Sequence, residues 1–213
     1  MSNPGLLYIG GALFTNGLMR IGVIPGKSAA ILNFFAGGMQ VVLSTVILIH
    51  ANIDPVIVLG AAGLYLFGFT HLHVGILQVT GASGEGHGWF SLFVSECALV
   101  IGIIQFALGD AVFGVIWWIW AVLWFFFFLL LGLGKESLAR TTGWFAILIS
   151  HLTATIPAFF LLLGRYESNT ALALGMAALG GIALVMAMVI GRRARVAAAP
   201  AAPAASAPAL IVT

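Results

Sequence analysis

The sequence predicts an all-α membrane protein, a polytopic helical bundle with its N-terminus outside and its C-terminus inside. Three observations carry that reading. Of 213 residues, 62% are hydrophobic and only 7% are charged, against roughly 25% charged in a soluble domain, and the mean hydropathy is +1.17. The apolar residues fall into seven long runs. The basic residues fall almost entirely on one side of those runs.

In order, the runs cover about 5–23, 28–50, 56–79, 88–108, 111–133, 142–164 and 170–190. Each is close to the roughly 20 residues that a helix needs to cross about 30 Å of hydrocarbon. Strands of a β-barrel would be half as long and would alternate in polarity, and a run such as FFFFLLLGLG does not alternate. Six short breaks separate the runs: IGVIPGKS, HANIDP, TGASGEGHG, LGDA, GKESLARTTG and GRYESNT. All carry the glycine, proline and polar residues that end and start helices. None is long enough to divide the chain, so residues 1–191 form one transmembrane domain. After it, 192–213 read as a disordered, Ala/Pro-rich cytoplasmic tail.

Orientation follows from charge. With the N-terminus outside, the inner loops and tail hold Arg20, Lys27, Lys135, Arg140, Arg192, Arg193 and Arg195, seven of the eight Lys and Arg, and only Arg165 lies outside. That asymmetry is the positive-inside pattern. It also accounts for the net charge of +2, which is too small and too scattered for a nucleic-acid surface. MSNPGLLYIGG lacks the charged start of a signal peptide, so the first run is expected to stay as a helix. Cys97 is the one cysteine and can form no intrachain disulfide.

Several motifs stop short. GVIPGKS, residues 22–28, is one spacer short of a phosphate-binding loop and joins two membrane helices. GASGEGHG, 81–88, lacks the strand-to-helix setting of a nucleotide fingerprint, and its glycines are expected in a tight inner turn. A retinal protein would need a lysine in the last helix, and 171–190 have none. Ala173, Ala177 and Gly181 instead give that helix a small-residue face for close packing.

The chemistry must then reside in the polar residues inside the runs. His71, Glu96 and His151 each lie eight or nine residues from the inner end of a helix, which places all three roughly 12–14 Å into the membrane. A weak repeat agrees: GWFSLFVSECAL (88–99) and GWFAILISHLTA (143–154) align so that Glu96 is the counterpart of His151. A charged side chain at that depth costs roughly 2.5–3.5 kcal/mol, so Glu96 is expected to face inward. His71 and His73 cannot share a helix face. His71 is placed on the inner stripe with Phe67 and Gln78, and His73 is read as a packing or interface residue. Four roles are open to a His71, Glu96 and His151 layer: a metal site with two imidazoles and a carboxylate, a proton relay, a structural hydrogen-bond cluster, or a polar constriction in a pore.

LLYIGGALFTNG (6–17), KSAAILNFFAGG (27–38), LFGFTHLHVG (66–75), GWFSLFV (88–94), IWAVLW (119–124) and TATIPAF (153–159) together resemble the AmiS/UreI family of urea and short-chain amide channels, from residue 6 to about 164. The resemblance implies a six-helix core with a narrow pore in each protomer and a hexameric ring. It implies passive conduction of urea or short-chain amides across the cell (cytoplasmic) membrane, with no cofactor and no enzymatic activity. Its aromatic slot maps to Phe67, Trp120 and Trp124, with Asn16 on the first helix; Trp117 and Trp118 are read instead as interface anchors. The family's two tyrosines become His71 and His73, and two family carboxylate positions become Leu130 and Ile149. The seventh helix has no counterpart in that core. Outer loops this short, with little titratable beyond His50, Asp54, Asp110 and Glu167, predict weak or absent gating by outer acid. A proton-coupled transporter and an intramembrane metal protein on the same scaffold are the alternatives.

Overall fold

A computed structural model of the protein describes residues 3–198. The described residues contain helices and turns and no strands. The helices are α1 (Asn3–Arg20), α2 (Gly26–His50), α3 (Pro55–Thr80), α4 (Glu85–Ala107), α5 (Ala111–Phe127), α6 (Ala139–Ile149), α7 (Ile156–Leu162) and α8 (Thr170–Ala198). Two π-turns extend or join them: Phe128–Gly132 continues α5, and Ser150–Thr155 links α6 to α7 as one rod. Six helical rods are long and apolar enough to cross a membrane, from α2 through α8. The 18-residue α1 falls outside that group.

Ends are set by local chemistry. Asp54 precedes Pro55, and its carboxylate accepts from Val56 N and Ile57 N at 2.8 and 3.3 Å. A proline at the first turn loses no helical hydrogen bond, because that N–H has no partner in any case. Gly81 ends α3 with φ +70, a conformation that glycine adopts without steric penalty. The Pro157 ring has no N–H to return to the preceding turn, and the π-turn lies just before it.

Three tightly packed units surround a common core: α2 with α3, α4 with α5, and α1 with the α6–α7 rod. The gap between α3 and α4 is by contrast thinly packed. Backbone-to-backbone contact holds the units together. A Cβ on Gly37 would lie 2.8 Å from the Gly68 carbonyl oxygen, and one on Gly17 would lie 2.7 Å from that of Gly143. Small residues permit this approach, which gives packing where lipid offers no hydrophobic drive.

α8 packs on the outside of the bundle formed by α1 to α7, against α5 and α6. Its buried face is Ala173, Gly180, Ala183, Ala187 and Gly191, while Ala177 and Gly181 are exposed. The four-residue stripe expected from the sequence therefore corrects to a spacing of seven, three, four and four. A strict i+4 series drifts around a helix of 3.6 residues per turn, and this series follows one side of it. The helix also runs on to Ala198, carrying Arg192 and Arg193 beyond the anticipated end near 190. Residues 199–213, most of the expected tail, lie outside the described residues.

Candidate solute pathway

The centre of the bundle is an aromatic cage. Phe67 on α3 stacks on Trp117 at 5.4 Å between ring centroids and meets Trp120 and Trp124 edge-on at 4.8 and 5.2 Å. Trp117, Trp120 and Trp124 recur at i, i+3 and i+7 and so share one face of α5. All four rings are almost completely buried. Trp117 is thus part of the cage and not an interface anchor; Trp118, one residue round the helix, is exposed and donates to the Leu99 carbonyl at 3.3 Å. Trp120 donates to Thr153 Oγ1 at 2.8 Å, and Thr153 donates to the Ile149 carbonyl at 2.6 Å. Leu6, Ile9 and Leu13 present the inward face of α1 to the same core.

His71 lies one turn from Phe67 and is 1% exposed. Neither ring nitrogen makes a well-formed hydrogen bond among the described residues; the Phe67 carbonyl one turn back interacts with the ring only weakly. Gln40 and Ser44, one turn apart on α2, are fully buried, and none of their side-chain polar atoms is partnered either. The same holds for the Trp117 indole N–H, Thr142 Oγ1 and Nδ1 of His87. An unpaired buried donor or acceptor costs about 1–3 kcal/mol. Of these groups the Trp117 N–H belongs to the cage and His71 follows one turn from Phe67, which marks that part of the core as a place where water or a polar solute is to be hydrogen-bonded. Asn33, Gln40 and Ser44 follow at i, i+7 and i+11, a polar stripe that was legible in an otherwise apolar run.

Asn16 is held differently. Its carboxamide pairs reciprocally with Asn33, Nδ2 to Oδ1 at 2.9 Å one way and 2.6 Å the other, and Asn33 also donates to the Ala29 carbonyl at 2.8 Å. Asn16 is therefore a clasp between α1 and α2. His73 is half-buried and meets the buried His87 edge-on at 4.8 Å, a pairing that loop position alone could not reveal.

Glu96 and His151 are not brought to His71. Both are exposed, Glu96 in a groove between α3 and α4 and His151 beside Phe14 of α1, with ring centroids 5.2 Å apart. The inward expectation for Glu96 is corrected: Ser91, Val94, Ser95 and Ala98 take the buried stripe of α4. Depth along a helix does not fix direction around it, and the next residue after an inward Ser95 is turned about 100° away. The internal repeat holds in this respect, since Ser150 is buried like Ser95, and each is followed by an outward ionisable residue. Among the described residues no three His, Cys, Asp or Glu side chains converge as a metal site would need.

A membrane-spanning helical bundle with a buried aromatic cage and unpaired polar groups around it is the architecture of a small-solute channel or transporter. The chain belongs to the AmiS/UreI family of transporters, whose family model matches residues 1–165. It is 54% identical over 178 residues to a putative transporter protein AmiS2 of Rhodococcus erythropolis, covering 83% of this chain and 86% of that one. It is 47% identical over 194 residues to a putative amidate substrates transporter protein of Mycolicibacterium smegmatis, covering 91% of each. The crystal structure of the urea channel of Helicobacter pylori superposes with a TM-score of 0.71 at 31% identity, covering 78% of this chain and all of that one. The chain is a multi-pass membrane protein of transport, and α8 lies beyond the matched family region.

Proposed function

We propose that the chain conducts urea or short-chain neutral amides passively through the centre of each bundle. The observation that carries this reading is the cage of Phe67, Trp117, Trp120 and Trp124 with His71 one turn away. Flat aromatic faces accept a planar amide stripped of part of its water, and a low-dielectric slot excludes ions. The unpaired nitrogens of His71 and the carboxamide of Gln40 supply both a donor and an acceptor for such a solute. The relatives named as an amidate substrates transporter and a urea channel support the same solute class. In this reading α1 and α8 both cross the cytoplasmic membrane, the N-terminus is outside, the basic loops are inside, and several copies assemble as a ring of six.

One relative is an acid-activated urea channel of Helicobacter pylori. Here the connections at the outer end span only 51–54, 108–110 and 163–169, so the outer face offers few groups to sense acid, and gating by outer acid is absent. Stopped-flow uptake into proteoliposomes of urea, acetamide and formamide tests the whole reading. Fast uptake that equilibrates without accumulating, slowed by Trp120→Ala, and changing by less than about twofold between outer pH of about 7.5 and about 5.5, a window spanning imidazole titration, is the expected result. Accumulation above the outside concentration under a pH gradient would assign proton-coupled transport instead.

A further inference from the structure

Glu96 is not accounted for by a central pathway. Of the chain's six acidic residues it alone lies deep inside a membrane-crossing helix. It is exposed there, in a groove whose other walls are apolar: Leu59, Leu66, Phe93, Val100 and Ile104. No hydrogen bond or ion pair with a described residue satisfies it. An ionisable side chain turned toward hydrocarbon calls for a partner, and none is supplied by the described residues of its own chain.

His151 has the complementary chemistry. It too is exposed in mid-span, with its ring beside Phe14. Two hydrogen bonds show that the groups share a level. Ser95, next to Glu96, donates to the Ala121 carbonyl at 2.8 Å, and Trp120 donates to Thr153, two residues beyond His151. Glu96 and His151 thus lie within about one helical turn, roughly 5 Å, of each other along the bundle. They stand on separate faces, one at α3–α4 and the other where α1 meets the π-turn, and cannot meet within one protomer.

We propose that Glu96 of one copy of this chain pairs with His151 of the neighbouring copy in the plane of the membrane. Copies inserted in the same sense keep both groups at one level, so rotation about the membrane normal suffices to bring them together. The surface beside His151 is low: Gly11, one turn from Phe14, has open space where a side chain would project. A contact between two different patches is heterologous, and with all copies inserted in one sense it builds a ring about the membrane normal where the rotation per copy closes. In that ring the α3–α4 groove is filled by the next copy, and the charged group that faces lipid in one chain is satisfied by the next.

The pair is tested in a Cys97→Ser background, which removes the chain's one native thiol. The Glu96→Cys/His151→Cys double variant is treated in native membranes with a short bifunctional methanethiosulfonate. A ladder of cross-linked species should form in the double variant and in neither single variant. A product from Glu96→Cys alone would mean a two-fold contact, and no product in the double variant would mean that the faces do not meet; either overturns the proposal. Native mass spectrometry in mild detergent reads the same pair without thiols. Glu96→Ala and His151→Ala should each lower the oligomeric fraction severalfold, and the exchange Glu96→His/His151→Glu should restore it. Unchanged oligomers in both single variants would overturn the pairing irrespective of which solute is carried.

Discussion

Trp120 donates its indole N–H to Thr153 Oγ1 at 2.8 Å, joining α5 to the π-turn between α6 and α7. Contact between α5 and α6 is otherwise sparse, so this bond fixes the indole plane within the cage. Thr153→Val keeps the shape and removes the acceptor, leaving a buried N–H unpaired at a cost of about 1–3 kcal/mol. Thermal unfolding in detergent should fall accordingly, and amide uptake should slow severalfold because the ring is no longer held in one orientation. A double-mutant cycle with Trp120→Phe isolates the bond. A coupling energy of about 1 kcal/mol is expected, and a value near zero would show that the two side chains act independently.

Gln40 and Ser44 should show the opposite balance. Their polar atoms are buried and unpaired, so Gln40→Leu and Ser44→Ala remove a desolvation cost and no hydrogen bond. Stability is expected to hold or rise by up to about 1 kcal/mol, while urea and acetamide uptake drops severalfold. A gain in stability with loss of activity is the pattern of groups retained for a ligand. Uptake unchanged in both variants would mean that the stripe only tolerates burial.

These residues also show what the sequence could carry. Helix extents followed from apolar run length, because the bilayer sets that length, and every expected boundary except the end of the last helix lies within three residues of the observed one. Phe67, Trp120 and Trp124 do share one buried cage, whereas Trp117 was set aside although its spacing from Trp120 and Trp124 put it on the same face. Glu96 and His151 differ from expectation in direction, both being exposed. Counting residues from a helix end measures distance along the axis, and azimuth depends on which neighbours pack. Here small serines take the inward positions, and a π-turn before Pro157 changes the angular register of the α6–α7 rod. The pairing of His73 with His87 crosses from α3 to α4 and leaves no local trace in the sequence.

Gly63 sets the outer wall of the cage. A Cβ there would lie 2.9 Å from Trp117 Cζ2 and Cη2, closer than ordinary van der Waals contact. Gly63→Ala gains about 1 kcal/mol of helix propensity and incurs roughly 1–3 kcal/mol of overpacking. The net change in stability should therefore be small and destabilising. The indole has little room to retreat, because Phe67 stacks on it at 5.4 Å. The slot narrows, so uptake of acetamide should fall more than uptake of the smaller formamide. Equal slowing of both would place the constriction elsewhere.

Tyr166 ties the connection before α8 to the start of α5. Its hydroxyl donates to Asp110 Oδ1 at 2.7 Å, and the same oxygen accepts from Phe113 N at 3.1 Å. Nearby, Ser168 Oγ accepts from Val112 N at 3.1 Å. Burial and the hydrogen bond to the Asp110 carboxylate hold the phenol well above the usual tyrosine range. In the folded state the proton is therefore retained where the unfolded chain releases it, near pH of about 10. The stabilisation is fully present below that value and is lost as pH rises through and beyond it, because deprotonation then favours the unfolded chain. Wild-type protein should lose more thermal stability between pH of about 9 and about 11 than Tyr166→Phe, which lacks the group. At neutral pH Tyr166→Phe should be less stable by about 1 kcal/mol, the net worth of a typical intramolecular hydrogen bond. Parallel pH profiles for the two proteins would show that the Tyr166–Asp110 bond contributes nothing to the docking of α8.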